Sequence, residues 1–184
     1  RQLKISRDYC LVGIPRAQFA LTKFEAANSS YLDLEKSSYI WPEILFEEAW
    51  NSFYLKDYNR TLGKLVTYKA PVLHYVFNPE IEVLKALSFM ELCLWNDTKN
   101  TVESFYNKYE KENEGYKKYI DSLGKDYKLF YSLVKEQSEG KFKNNAILNT
   151  ALASISRDPA YLELYSAFNS GREEIERMKS VGNE

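Results

Sequence analysis

The sequence predicts an all-α protein, built of antiparallel helical hairpins stacked as a short α-solenoid and followed by a helical C-terminal extension. Apolar residues recur with the 3.6-residue period of a helix that buries one face, as at Phe46, Ala49, Trp50 and Phe53. Seven Gly and five Pro among 184 residues are too few turn formers for the many short strands of an all-β fold. The tripeptide Pro42-Glu43-Ile44 returns as Pro79-Glu80-Ile81; two helix starts of identical chemistry are the mark of a repeated unit.

The elements follow in order. Leu3 to Val12 carries a rough apolar face that ends at Gly13, and a second helix is expected from Pro15 through Phe19, Phe24 and Ala27, with the corner in the Val12 to Arg16 stretch. An irregular connection from Ser29 to Trp41 leads to Pro42, placed where a first-turn proline belongs, with Glu43 favouring the positive end of the helix dipole. The helical phase breaks at Asp57, an N-cap type, and restarts on Leu62, Leu65 and Val66 before Pro71 closes the segment. Pro79 opens a helix expected to reach Leu94, Asp97 marks the corner, and Val102, Phe105, Tyr106 and Tyr109 form the apolar stripe of its partner. Beyond Glu110 a helix with breaks at Gly115 and Gly124 runs to about Gly140. Two more follow, Asn144 to Ser156 and Pro159 onward, with Asp158 as N-cap of the last. This places about three hairpins in residues 1–110 and a helical extension or cap in 111–184.

Composition narrows the partners. A content of 45% hydrophobic and 28% charged residues supports a sizeable core. Fifteen Tyr, ten Phe and three Trp supply aromatic rings for packing or for a contact surface. The formal net charge of −1 creates no global field toward nucleic acid or anionic lipid, and no apolar run is long enough for a transmembrane helix. The chain starts at Arg1 without an apolar leader and reads as a soluble piece of a longer protein, whose compartment would be set by a region outside it. Cys10 and Cys93 have apolar neighbours and are expected as buried free thiols.

The repeat has an internal register. The two Pro-Glu-Ile copies lie 37 residues apart, from Pro42 to Pro79, and the spacing reads as 40 past the corner, where Asp57, Thr61 and Leu65 align with Asp97, Thr101 and Phe105. Backward by 41, Leu65 falls on Phe24, Thr61 on Ala20 and Tyr68 on Ala27. A small residue at Ala49, a corner aromatic at Tyr58, a small residue at Thr61 and an apolar anchor at Leu65 resemble the tetratricopeptide repeat, a helix-turn-helix unit of about 34 residues. The sequence departs from that family at Lys56, where a corner Gly is usual, at Thr98 in place of the corner aromatic, and in its long period. The connection Ser37-Ser38-Tyr39-Ile40-Trp41 before Pro42-Glu43 is similar to tetratricopeptide proteins of Gram-negative envelopes, of the outer-membrane assembly and gliding-motility types.

That resemblance implies a non-catalytic scaffold whose concave face engages a peptide or helix, with a periplasmic or outer-membrane-associated setting. The candidate contact residues are Glu43, Phe46, Trp50, Phe53 and Tyr54 on one first helix, and Glu82, Lys85, Phe89, Met90 and Cys93 on the next. The alternative is a structural module that self-associates through its helical surface or its C-terminal helices, which could also cap the array or fill its groove.

Enzymatic chemistry has little footing. The single histidine, His74, has no ligand or triad partner at working spacing, no Gly-x-Ser-x-Gly is present, and Gly140-Lys141 lacks the rest of a phosphate loop. Glu47 and Glu48 are adjacent on a helix and point to different sides. No catalytic residue, metal or cofactor is expected.

Overall fold

A computed structural model describes residues 2–124, 126–142 and 146–181, which form nine α-helices and no strand. The protein is all-α. By contacts it divides into two compact units, 1–124 and 125–184.

The first unit holds α1 (Gln2–Ala20), α2 (Phe24–Tyr31), α3 (Trp41–Tyr54), α4 (Tyr58–Val66), α5 (Glu80–Glu91) and α6 (Trp95–Leu123). Each helix packs on the next, so α1/α2, α3/α4 and α5/α6 are hairpins, while α2 on α3 and α4 on α5 join one hairpin to another. In a stacked helical repeat, too, each unit contacts its neighbours in sequence.

The hairpin corners are alike in backbone and unlike in residue. Thr22, Lys56 and Cys93 have φ of 59°, 62° and 58°, the positive-φ non-glycine residues among those described. The next N–H in each case reaches back five residues: Lys23 to the Gln18 carbonyl at 2.9 Å, Asp57 to Ser52 at 3.0 Å, Leu94 to Phe89 at 2.9 Å. The corner N–H itself bonds three residues back, to Phe19, Phe53 and Met90. These are Schellman closures, in which two backbone bonds satisfy orphan carbonyls and offset the left-handed strain of roughly 1 kcal/mol on a non-glycine corner.

These corners revise the register. The spacing is 34 residues from Thr22 to Lys56 and 37 from Lys56 to Cys93, so Thr61 aligns with Ala27 and Thr98, and Leu65 with Tyr31 and Val102. The expected spacings of 41 and 40 do not hold. The third hairpin turns at Cys93, not Asp97, and α5 has 12 residues against 14 in α3. The first hairpin does not turn between Val12 and Arg16, because α1 runs through Gly13 and Pro15. Pro15 cannot donate to the Leu11 carbonyl, but its ring is fully buried, and its packing offsets the lost bond. Pro15 holds the register position of Ala49 and Ala86, where the two helices of a hairpin approach.

Two clusters make the core. Val12, Ala27, Tyr31, Leu34, Ile40 and Ile44 join the first hairpin to α3, with Phe19 and Trp41 packed on them. Ala49, Leu65 and Leu84 join α3, α4 and α5, and Phe46, Trp50, Phe53 and Ile81 lie against them. Asp57 caps α4 by accepting from the Arg60 N–H at 3.0 Å. Asp97 caps nothing, since α6 begins at Trp95. Helix α6 continues through Gly115 to Leu123 and stops at Gly124, whose φ is 61°. The expected domain boundary at residue 110 therefore falls inside a helix, and the compact unit ends at 124. Both cysteines are free and exposed, contrary to the expectation of buried thiols; Cys93 is held at the surface by its place in a corner.

The second unit contains α7 (Tyr127–Ser138), α8 (Ala146–Arg157) and α9 (Pro159–Val181), again packed in sequence order. Val134 and Leu152 are its buried apolar residues among those described. Tyr131 of α7 meets Tyr165 and Phe168 of α9 at ring-centroid distances of 6.3 and 6.0 Å. Asp158 caps α9 by accepting from the Ala160 and Tyr161 N–H groups. Gly140, with φ of 70°, ends the chain's run out of α7.

Candidate aromatic groove

The N-terminal hairpin and α3 enclose an open groove of about 410 Å³, lined by Arg16 and Phe19 of α1, Tyr31 of α2, and Glu47, Trp50 and Tyr54 of α3. The spacing of 47, 50 and 54 puts these α3 side chains on one face, one turn apart. Register brings α1 to meet them, since Arg16 stands where the next hairpin has Trp50, and Phe19 where it has Phe53.

One wall is a run of rings. Tyr54 stacks on Phe24 at 5.0 Å with 8° between planes and meets Phe19 edge-on at 5.4 Å. Trp50 lies 6.1 Å from Tyr54, 5.7 Å from Phe53 and 6.4 Å from Phe46. Phe53 continues to Tyr58 at 5.3 Å. Edge-to-face and offset contacts of this kind each contribute about 1 kcal/mol beyond the apolar area they bury. Phe46, Trp50 and Phe53 also pack on the second core cluster, so Trp50 serves the core with one side of its indole and the groove with another. Tyr54, half exposed at 50%, is the ring most open to solvent.

The other wall is ionic. Glu47 accepts from the Arg16 Nε at 2.9 Å and Nη2 at 2.6 Å, a forked pair, while the same Nη2 donates to Glu43 Oε1 at 2.6 Å. The Tyr31 hydroxyl donates to Glu47 Oε2 at 3.2 Å. The hydrogen bond and charge of Glu47 push the Arg16 guanidinium further above its already high range. Burial first, then the Glu47 carboxylate, push the Tyr31 phenol well above the ordinary tyrosine value, so it stays a protonated donor. Glu48 points the other way, to Lys64 of α4.

Of the residues expected at a contact surface, Phe46, Trp50, Phe53 and Tyr54 come together in one ring chain, and Glu43 joins it through Arg16. Lys85, Phe89 and Met90 lie elsewhere on the repeat. The 37-residue register puts Lys85 at the position of Glu48, which pairs with Lys64 of α4, and Phe89 at that of the buried Ser52. Lys85 is held by Glu82 at 3.3 Å and lies 6.0 Å from the Phe89 ring, and Met90 is 40% exposed. The α1 and α2 contributions, Arg16, Phe19 and Tyr31, lie outside the expected contact set, because a corner between Val12 and Arg16 would break α1 before it reaches α3. The available signal was a repeated aromatic spacing: Phe19 and Phe24 span their corner as Phe53 and Tyr58 span theirs.

His74 is exposed, with its Nε2 3.2 Å from the Lys69 carbonyl. Among the described residues no three His, Cys, Asp or Glu side chains could share a metal ion, and no helix is long and apolar enough to cross a membrane. No protein-family model, curated protein or solved structure matches the chain.

Proposed function

We propose that this protein is a non-catalytic binding scaffold of the tetratricopeptide type, which engages a peptide or helix of a partner protein along the groove between its first two hairpins. The observation that carries the reading is the groove itself: an open concavity of about 410 Å³ with Phe19, Trp50 and Tyr54 on one side and the Arg16 pair with Glu47 on the other. Rigid aromatic rings lose little conformational entropy when they are covered, which is why Trp, Tyr and Arg dominate interface energetics. A volume of this size accepts one or two large side chains of a docked segment. The 34-residue spacing from Thr22 to Lys56 and the small residues Ala49 and Thr61 at the closest approach of α3 and α4 support the tetratricopeptide comparison.

A displayed random-peptide library selected on the whole chain tests this. Enriched peptides should carry an aromatic or aliphatic anchor, shift the Trp50 indole N–H resonance, and bind Tyr54→Ala at least about tenfold more weakly while helicity by circular dichroism is unchanged. Peptides that bind Tyr54→Ala as tightly as the native protein would remove the groove from the mechanism.

A further inference from the structure

A second cavity in the same unit has a different charge balance. It measures about 500 Å³ and lies between α2, the connection to α3, and the α3/α4 hairpin. Its floor is aliphatic and aromatic: Leu34 and Leu45 are buried, Trp41 is half-buried, and Leu32 stands 66% exposed at the rim. Four charged side chains line it, Lys36, Arg60, Lys64 and Glu48. Lys64 and Glu48 neutralise each other in an ion pair whose side chains are only 13% and 12% exposed. That leaves Lys36 and Arg60, both exposed and therefore at the mouth, with no acidic partner among the described residues. A chain with a net charge of −1 thus sets two uncompensated cations over one apolar floor.

Apolar cavities with a few convergent polar groups are the usual form of a small-ligand site. Here the nearly buried Lys64–Glu48 pair cancels its own charge, Tyr31 and Thr67 add neutral hydroxyls, and the net charge of the lining comes from Lys36 and Arg60. We infer that this cavity binds an amphiphilic anion, a molecule with an apolar body and a carboxylate head, with the body on Leu34, Leu45 and Trp41 and the head between Lys36 and Arg60. Arg60 offers a planar fork matched to two carboxylate oxygens, and Lys36 adds a point charge. The preset Lys64 pair with Glu48 keeps the floor free of a competing charge, so selectivity for an anion rests on the two mouth cations. Tyr31 lines both cavities, but none of the side chains assigned to the anion lines the aromatic groove.

The three tryptophans make the test local, because Trp41 lines this cavity, Trp50 the groove and Trp95 the start of α6. The intact chain is titrated, below the micelle threshold, with decanoate, with decanol, and with inorganic phosphate, and the three indole N–H resonances are followed. Decanoate should shift Trp41 saturably and leave Trp50 and Trp95 in place, with decanol and phosphate each weaker by at least about tenfold. Lys36→Gln and Arg60→Gln should each weaken decanoate by about fivefold or more and leave circular dichroism unchanged, because neither side chain has an ion-pair partner among the described residues. Decanol binding as well as decanoate, phosphate binding as well as decanoate, or an unmoved Trp41 would each overturn the assignment. So would full decanoate affinity in the double variant.

Discussion

Thr61 Oγ1 lies 3.3 Å from the Ala49 carbonyl, with both residues fully buried, and it bonds the Asp57 carbonyl of its own helix at 3.0 Å. The two helices of the central hairpin meet at this point, and only small side chains let their backbones approach so closely. Ala49→Leu should therefore overpack the hairpin and lower stability by about 1–3 kcal/mol, and Ala49→Ser, which adds a single heavy atom, should cost less. Urea unfolding followed by circular dichroism reads both, and equal midpoints for the two variants would contradict the packing.

The corners supply a pair of matched substitutions. Asp57 holds the Arg60 N–H at the start of α4, so Asp57→Ala should cost about 1 kcal/mol. Asp97 accepts no cap bond and is exposed in the first turn of α6, so Asp97→Ala should change stability by less than about 0.5 kcal/mol. Comparable losses at both positions would restore the corner at Asp97.

Alkaline pH should weaken the fold through two phenols. Tyr31 and Tyr68 have folded pKa values raised well above the tyrosine value of 10.0, in both cases mainly by burial and then by nearby glutamates. Below that value both states hold the protons and the contribution to stability is complete. Above it the unfolded chain releases protons that the native state retains, so stability falls as pH rises. Urea midpoints from about pH 8 to about pH 11 should decline, and Tyr31→Phe should flatten the decline. An identical slope in that variant would contradict the assignment.

Both cysteines should react with a thiol reagent in the native protein. Cys10 and Cys93 are exposed and free, so a chromogenic disulfide should label them without denaturant and with no slow phase. Labelling that required urea would place them in the interior.

Some elements were legible because their cause is local. Pro42 and Pro79 sit at the starts of α3 and α5, and Asp57 and Asp158 cap α4 and α9. Gly124 and Gly140 end helices with the positive φ that glycine adopts at little cost. The first and third corners had no such signal. Thr22 and Cys93 adopt the left-handed conformation because backbone bonds form there with any side chain, and the following helix then packs in place.

The groove divides along the same line. Phe46, Trp50, Phe53 and Tyr54 share a helical face, so their grouping follows from periodicity alone, while Arg16 reaches Glu47 across 31 residues of sequence. The sequence by itself determined the helical class, the Pro-Glu-Ile helix starts and the aromatic face of α3, because propensity, capping and period act within a few residues. Only the tertiary structure decided where two of the three hairpins turn, that α1 continues through Pro15, and that Arg16, Phe19 and Tyr31 complete the groove. Those outcomes depend on which buried surfaces meet when hairpins stack, an energy shared among residues far apart in the chain.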